Sequence, residues 1–242
     1  MWKRLLGAVH NRLIFRRRVR RLAAALAEAM PQGATILDIG CGDGAVAAGL
    51  MALRPDLEVI GVDVHARPTW EKRGRESFSP ERTPDPLFPK VLYDGERLPF
   101  DDGAFDCAML IDVVHHAESP ERVVAEAARV ARRRVVIKDH VCETRGEHRL
   151  LRLMDFVGNR PHGVGSPGRY LNAAEWDALW SRLGLAPVVR RDLPGLHPFP
   201  FGLIFRRRLH LFAVLEKFSR DPQGSASAAL DDRTKRSPSG RG

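Results

Sequence analysis

The chain has 242 residues, a formal net charge of +9, and 44% hydrophobic residues. This composition is typical of one globular domain with a sizeable core, and no apolar window is long enough for a membrane-spanning helix. The cysteines, Cys41, Cys107 and Cys142, show neither a disulfide pattern nor metal-ligand spacing. We therefore expect a reducing cytoplasm and no metal site.

Residues 1–22 are predicted to form a basic amphipathic helix, because they hold many lysines and arginines and no acid. An apolar stripe recurs at helical spacing along the same segment. Three functions are open: packing on the core, contact with an anionic membrane surface, or binding of nucleic acid. Only 7% of the residues are aromatic, which leaves few stacking platforms and argues against nucleic acid.

Residues 36–44 are the most informative stretch, since a β-branched apolar run meets a glycine cluster there. Asp38 precedes the predicted turn and Asp43 lies within it. Two carboxylates repel a pyrophosphate and suit a ligand with an ammonium or a sulfonium group, which favours S-adenosylmethionine over a dinucleotide. The glycines, which let the backbone turn tightly against a ligand, are Gly40, Gly42 and Gly44.

Two acids end the next predicted strands. Asp63 closes residues 58–63, and its carboxylate can accept hydrogen bonds from two ribose hydroxyls. Asp94 closes residues 90–94 and can accept from an adenine amino group. The sequence thus predicts a nucleoside site along the strand ends that follow the glycine turn.

Three histidines follow the next two predicted strands, residues 104–112 and 134–139. His115 and His116 come after the fourth strand, and His140 comes after the fifth. The substrate that accepts the methyl group of S-adenosylmethionine should lie beyond these strand ends. Each histidine is therefore a candidate general base, with His140 the first choice.

Two irregular segments flank this region. Residues 65–89 are rich in proline and are predicted to be a surface loop or a lid. Residues 140–171 form an insertion after the fifth strand and are predicted to cap the substrate. Its candidate substrate-binding residues are Asp155, Asn159, His162 and Tyr170.

The C-terminal part is predicted to close the domain. A helix follows Asn172, and residues 185–191 and 210–217 form the sixth and seventh strands. Residues 219–242 lack apolar periodicity and are predicted to be a disordered tail.

Together these motifs resemble the class I S-adenosylmethionine-dependent methyltransferases. Their pattern is similar to the small-molecule branch that includes the ubiquinone and menaquinone biosynthesis methyltransferases. The resemblance implies an α/β fold, with a Rossmann-like sheet of seven mostly parallel strands, an antiparallel seventh strand and helices on both faces. The residues that carry it are 37–44, Asp63, Asp94, 98–100, Phe105-Asp106, 112–116 and 126–130.

The resemblance also implies an enzyme that moves a methyl group from S-adenosylmethionine to a small, hydrophobic acceptor. An RNA-modifying methyltransferase and a non-catalytic cofactor-binding domain remain as alternatives. We place the domain at residues 23–218, in the cytoplasm, with peripheral contact at the inner membrane surface through residues 1–22 as an option. The cofactor-binding residues are predicted to be Asp38, Gly40, Cys41, Gly42, Asp63, Val64, Asp94, Gly95 and Asp112.

Overall fold

The structure, a computed structural model, describes residues 15–65, 88–159, 168–193, 195–196 and 209–218. Several predictions fall outside this part of the chain: residues 1–14 of the basic helix, most of segment 65–89, His162, the side chain of Asn159, and the tail 219–242.

Seven strands form one sheet in the order β3-β2-β1-β4-β5-β7-β6. Strands β1 to β5 run parallel, and β7 pairs antiparallel with both β5 and β6. This confirms the predicted Rossmann-like methyltransferase sheet with its antiparallel seventh strand. The strands are β1 (Thr35–Ile39), β2 (Glu58–Asp63), β3 (Lys90–Leu92), β4 (Phe105–Ile111), β5 (Ala131–His140), β6 (Leu185–Arg191) and β7 (His210–Lys217).

Helices cover both faces of the sheet. Successive strand residues point to opposite faces, so in β1 Ile36 packs with the first two helices and Leu37 with the third and fifth. The described helices are α1 (Arg16–Ala29), α2 (Ala45–Leu53), α3 (Pro120–Val130), α4 (Arg145–Asn159) and α5 (Ala173–Arg182). None of the described helices is long and apolar enough to cross a membrane.

Local sequence signals explain why these helices begin where they do. The Ser119 hydroxyl accepts from the backbone of α3, whose first residue is Pro120. Asn172 and Glu175 form a reciprocal capping box at the start of α5. Helix α2 follows Gly44, which has a φ of +81°. The observed start of α5 accordingly matches the helix predicted after Asn172.

Helix α1 corrects one predicted boundary. The basic helix was expected to end at residue 22, but α1 continues to Ala29. Leu22 and Leu26 are buried against the core, so this helix packs on the domain. The division between residues 22 and 23 therefore falls inside a helix, and the bounds of the domain stay a prediction.

Strand β5 also begins earlier than expected, at Ala131 and not Arg134. Ala131 pairs with Phe105 of β4, so the strand includes the run of three arginines that follows. Arg132 and Arg133 are exposed, whereas Val135 to His140 are buried.

Candidate active site

The glycine turn lies between the carboxyl ends of β1, β2 and β4, where the strand order reverses. The amides of Gly40 and Cys41 donate to the carbonyl of Val62, at 2.7 and 3.0 Å. Gly40 has a φ of +71°, and a Cβ added there would lie 2.5 Å from a methyl carbon of Val113. Burial raises the pKa of the Cys41 thiol, which stays protonated. Glycine is therefore required at residue 40, and the turn is fixed where open α/β sheets bind ligands.

Two buried carboxylates face this turn. Asp38 is 3% exposed, and burial together with the charge of Asp63 raises its pKa to about 8. No residue in the described ranges donates a hydrogen bond to the Asp38 carboxylate. Asp63 accepts from the amides of Gly42 and His65, each at 2.9 Å, and each of its oxygens keeps a lone pair for a further donor. A cationic, hydroxyl-bearing ligand fits this pair.

The predicted adenine end lies at the carboxyl ends of β2 and β3. A Cβ on Gly95 would lie 3.1 Å from Val64, so these two predicted residues are neighbours. One oxygen of Asp94 accepts from the amides of Glu96 and Arg97, at 2.8 and 3.1 Å. These bonds hold the pKa of Asp94 below its ordinary value, so the residue is a carboxylate and an acceptor.

Asp112 is engaged by the protein's own cations. Its two oxygens pair with Arg18 of α1 and Lys138 of β5. Although burial raises its pKa, these cations hold the value well below the ordinary range. The backbone of Asp112 has a φ of +56°, a strained value for a residue with a side chain. The predicted cofactor contact of Asp112 stays a prediction, and its carboxylate already links α1 to β5.

His115 is an imidazolium held by a carboxylate. Its Nδ1 lies 2.7 Å from Oδ1 of Asp139, whose other oxygen accepts from the amide of Val114 at 2.9 Å. Burial lowers the pKa of His115, but Asp139 outweighs that cost, and Asp155 contributes as well, so the pKa rises to about 10. Asp139 thus orients the His115 ring and stabilises its protonated form.

His140 has the opposite electrostatics. Burial and the positive charges of Lys138 and His115 lower its pKa well below the ordinary value, so the ring is neutral. Its Nδ1 lies 3.1 Å from the carbonyl of Leu209, which can only accept, so Nδ1 carries the hydrogen. A ring of such low basicity is a poor proton acceptor, which argues against the predicted base role. Burial and the charge of His115 also lower the pKa of His116, and its role as a base stays a prediction.

Residues of the predicted substrate cap meet the same histidines. The Tyr170 hydroxyl hydrogen-bonds Asp155, and Asp155 Oδ2 lies 3.6 Å from Nε2 of His115. The Tyr170 ring stacks on the His115 ring, with centroids 5.5 Å apart. The ring centroids of His115 and His116 lie 4.0 Å apart. The structure therefore brings Asp155, Tyr170 and the three histidines into one buried cluster.

Sequence reasoning missed four residues of this region: Arg18, Lys138, Asp139 and His210. Lys138 and Asp139 interrupt the apolar run of β5 and are fully buried. A charged pair inside a strand that is buried on both faces is a signal that could have identified them. His210 faces His140 across the β5–β7 ladder, with ring centroids 5.3 Å apart.

Comparison with known proteins agrees with this geometry. Residues 37–137 match the family described as "Methyltransferase domain". The matched segment runs from β1 to β5 and includes the glycine turn. Together with the sheet topology, the match confirms the class I fold and supports S-adenosylmethionine as cofactor and methyl transfer as the chemistry of this domain. The ubiquinone-like branch stays a prediction.

Two relatives and one solved structure illustrate the range of similar proteins. The chain is 30% identical over 95 residues to the malonyl-[acyl-carrier protein] O-methyltransferase of Legionella pneumophila, covering 39% of this chain and 31% of that protein. It is 31% identical over 96 residues to the tRNA (carboxymethyluridine(34)-5-O)-methyltransferase alkbh8 of Xenopus tropicalis, covering 40% of this chain and 13% of that protein.

The structure resembles the 1,6-didemethyltoxoflavin-N1-methyltransferase of Burkholderia thailandensis, solved with S-adenosylhomocysteine. The TM-score is 0.56 at 17% identity, covering 89% of this chain and 86% of that one. The chain spans about a third of the length of the curated relatives that it matches, from 28% to 38% for three of them. The comparisons therefore do not identify the acceptor, which has to be inferred from the site.

Proposed function

We propose that the protein transfers a methyl group from S-adenosylmethionine to a small, hydrophobic acceptor. The observation that carries the cofactor assignment is the pair of buried carboxylates, Asp38 and Asp63, at a glycine turn. Burial keeps the Asp38 carboxyl group protonated up to a pKa of about 8, and a cationic ligand would stabilise its ionised form. The pair lies at the switch point of the sheet, where this fold binds ligands.

Each end of the cofactor would meet a group of matching chemistry. S-adenosylmethionine, when bound, supplies a methyl group activated by a positively charged sulfur. Asp38 would accept from its ammonium group, and Asp63 would accept from the ribose hydroxyls. Asp94 would accept from the adenine amino group.

The acceptor side supports a small molecule. Val113 lies against Gly40, so the residues after β4 connect the cofactor turn to the histidine cluster. His115, His140 and Tyr170 are buried, and helix α4 brings Asp155 onto them. A site lined by these buried side chains can align a compact nucleophile and exclude water, which is the main contribution of a protein to methyl transfer.

An RNA acceptor is the second candidate. The net charge of +9 and the similarity to a tRNA methyltransferase favour it. The described arginines at the start of α1 are largely exposed and could contact phosphates. The buried acceptor side weighs against this reading, because a nucleotide base would have to enter the histidine cluster.

Turnover of cofactor with a labelled methyl group tests the proposal. The full-length protein would be incubated separately with metabolite, lipid and RNA extracts, with Asp63→Ala as the low-activity control. We expect label in a small, organic-soluble product. Label in RNA would favour the second candidate, and cofactor binding without transfer to any extract would indicate a regulatory domain.

A further inference from the structure

A second ligand site lies in the histidine cluster, beyond the ends of β4 and β5. His115, His140 and Asp155 each place one potential ligand atom within 4.8 Å of the other two. We infer that these residues bind a divalent transition-metal ion, with Zn²⁺ as its representative. This site goes beyond methyl transfer and does not depend on it.

The hydrogen bonds of the two rings leave the nitrogens needed for coordination. Nδ1 of His140 donates to the Leu209 carbonyl, so Nε2 carries a lone pair. Nδ1 of His115 is held by the Asp139 carboxylate, so Nε2 is again the nitrogen that remains, and a bound ion would displace the proton that Nε2 carries in the imidazolium. Neutral imidazole nitrogen is the commonest metal ligand in proteins.

The spacing of the atoms suits an ion better than a direct bond. Nε2 of His115 and Oδ2 of Asp155 lie 3.6 Å apart, too far for a good hydrogen bond. Ligands about 2.0–2.1 Å from a tetrahedral zinc ion lie roughly 3.3 Å from one another. A bound ion would therefore draw the three ligand atoms together by up to about 1.5 Å, which requires adjustment of the side chains.

All three ligands are oriented by a further hydrogen bond, as is usual for metal-binding side chains. Asp139 holds His115, the Leu209 carbonyl holds His140, and the Tyr170 hydroxyl holds Asp155. The carbonyl of His140 also accepts from the indole of Trp176 at 3.1 Å, which fixes its backbone. These hydrogen bonds thus hold all three ligand side chains in place before an ion binds.

The ligand set indicates the kind of ion. Two imidazoles and one carboxylate suit zinc and the neighbouring divalent transition metals better than calcium or magnesium. Three protein ligands leave at least one coordination position open for water or a substrate oxygen. The expectation of no metal site rested on spacing along the chain, whereas these ligands come from three separate elements.

Zinc titration of the full-length protein tests this inference without any cofactor. After dialysis against a chelator, calorimetry and elemental analysis should show one zinc ion per chain. His115→Gln, His140→Gln and Asp155→Asn should each remove this binding. Tyr170→Phe should weaken it by about 10- to 100-fold, because only the outer hydrogen bond is lost.

His148→Gln is the matched control. His148 also contacts Tyr170, with ring centroids 5.5 Å apart, but its Nε2 is bonded to the Gly168 carbonyl and it lies outside the ligand set. This variant should bind zinc like the wild type. Wild-type protein without bound zinc, or equal binding in all three ligand variants, would overturn the inference.

Cobalt spectroscopy covers the case in which a ligand variant does not fold. Co²⁺ added to wild-type protein should give weak visible bands and no intense near-ultraviolet band from a thiolate ligand. A thiolate band would assign the metal to the cysteines and contradict a site made of nitrogen and oxygen.

Discussion

Arg18 in helix α1 pairs with Asp112 at the end of strand β4, 94 residues further along the chain. The ion pair fastens a helix that precedes the domain core to the edge of the sheet where the cofactor is proposed to bind. Lys138 engages the other oxygen of the same carboxylate. Helix α1 thus belongs to the site as well as to the core.

Replacing Arg18 tests this attachment. Arg18→Ala should lower the free energy of unfolding by about 1 kcal/mol, a modest value because the side chain is 33% exposed and Lys138 remains. It should also weaken binding of S-adenosylhomocysteine, because α1 is released from the site. Arg20→Ala, an exposed neighbour on the same helix, is the control and should change neither quantity. Equal effects in both variants, measured by denaturation and calorimetry, would contradict the account.

A feature of the fold or the site could be predicted from the sequence where it depends on residues close together in the chain, and not where it depends on contacts between distant elements. The glycine turn, Asp63 and the capping box at Asn172 are encoded within a few residues, and their elements lie where the sequence indicates. The Arg18–Asp112 pair depends on how α1 packs across the sheet, and no local pattern specifies that packing. The opposite charge states of His115 and His140 depend equally on burial and on neighbours from other elements.

The glycine turn can be tested with a pair of substitutions. Gly40→Ala should abolish cofactor binding and destabilise the fold, because the residue has a φ of +71° and the new Cβ would clash with Val113. Gly33→Ala is the matched control, since its φ is +62° but no atom lies within 4 Å of the added Cβ. Gly33→Ala should cost about 1–2 kcal/mol of backbone strain and leave cofactor affinity intact. Similar affinity in the two variants would remove the turn from the binding site.

The raised pKa of Asp38 predicts a dependence on pH. The folded protein holds this proton up to a pKa of about 8, whereas the unfolded chain releases it near 3.8, the ordinary pKa of an aspartate. The folded state binds more protons in this window, so stability should fall as pH rises from about 5 to 8. Asp38→Asn should flatten this decline in denaturation experiments. An unchanged slope would show that Asp38 does not carry the proton.

The same proton should affect cofactor binding. Ionised Asp38 attracts an ammonium group, so affinity for S-adenosylmethionine should increase between about pH 6 and pH 8. Asp38→Asn should bind weakly, and its affinity should not increase over this range. A wild-type affinity that is independent of pH would place the ammonium group elsewhere.

The basic N-terminal segment is expected either to contact a membrane or to cover the cofactor pocket. The burial of Leu22 and Leu26 and the Arg18–Asp112 pair favour cover for the described part of the segment. Deleting residues 1–14 spares α1 and should leave cofactor affinity nearly unchanged. If the deleted residues bind an anionic surface, each arginine adds about 1 kcal/mol, and cosedimentation with anionic vesicles should be lost on deletion and weakened by salt. Vesicle binding by the full chain alone would favour a lipid-soluble acceptor.

The most direct test of the proposed cofactor site is a calorimetric titration of S-adenosylhomocysteine into three proteins: wild type, Asp63→Ala and Glu58→Ala. Asp63 and Glu58 lie at opposite ends of β2, so the second variant controls for loss of a carboxylate on that strand. We predict one site per wild-type chain, the same affinity for Glu58→Ala, and a loss of about 1.5–3 kcal/mol for Asp63→Ala. Absence of binding to the wild type, or wild-type affinity in Asp63→Ala, would contradict the account.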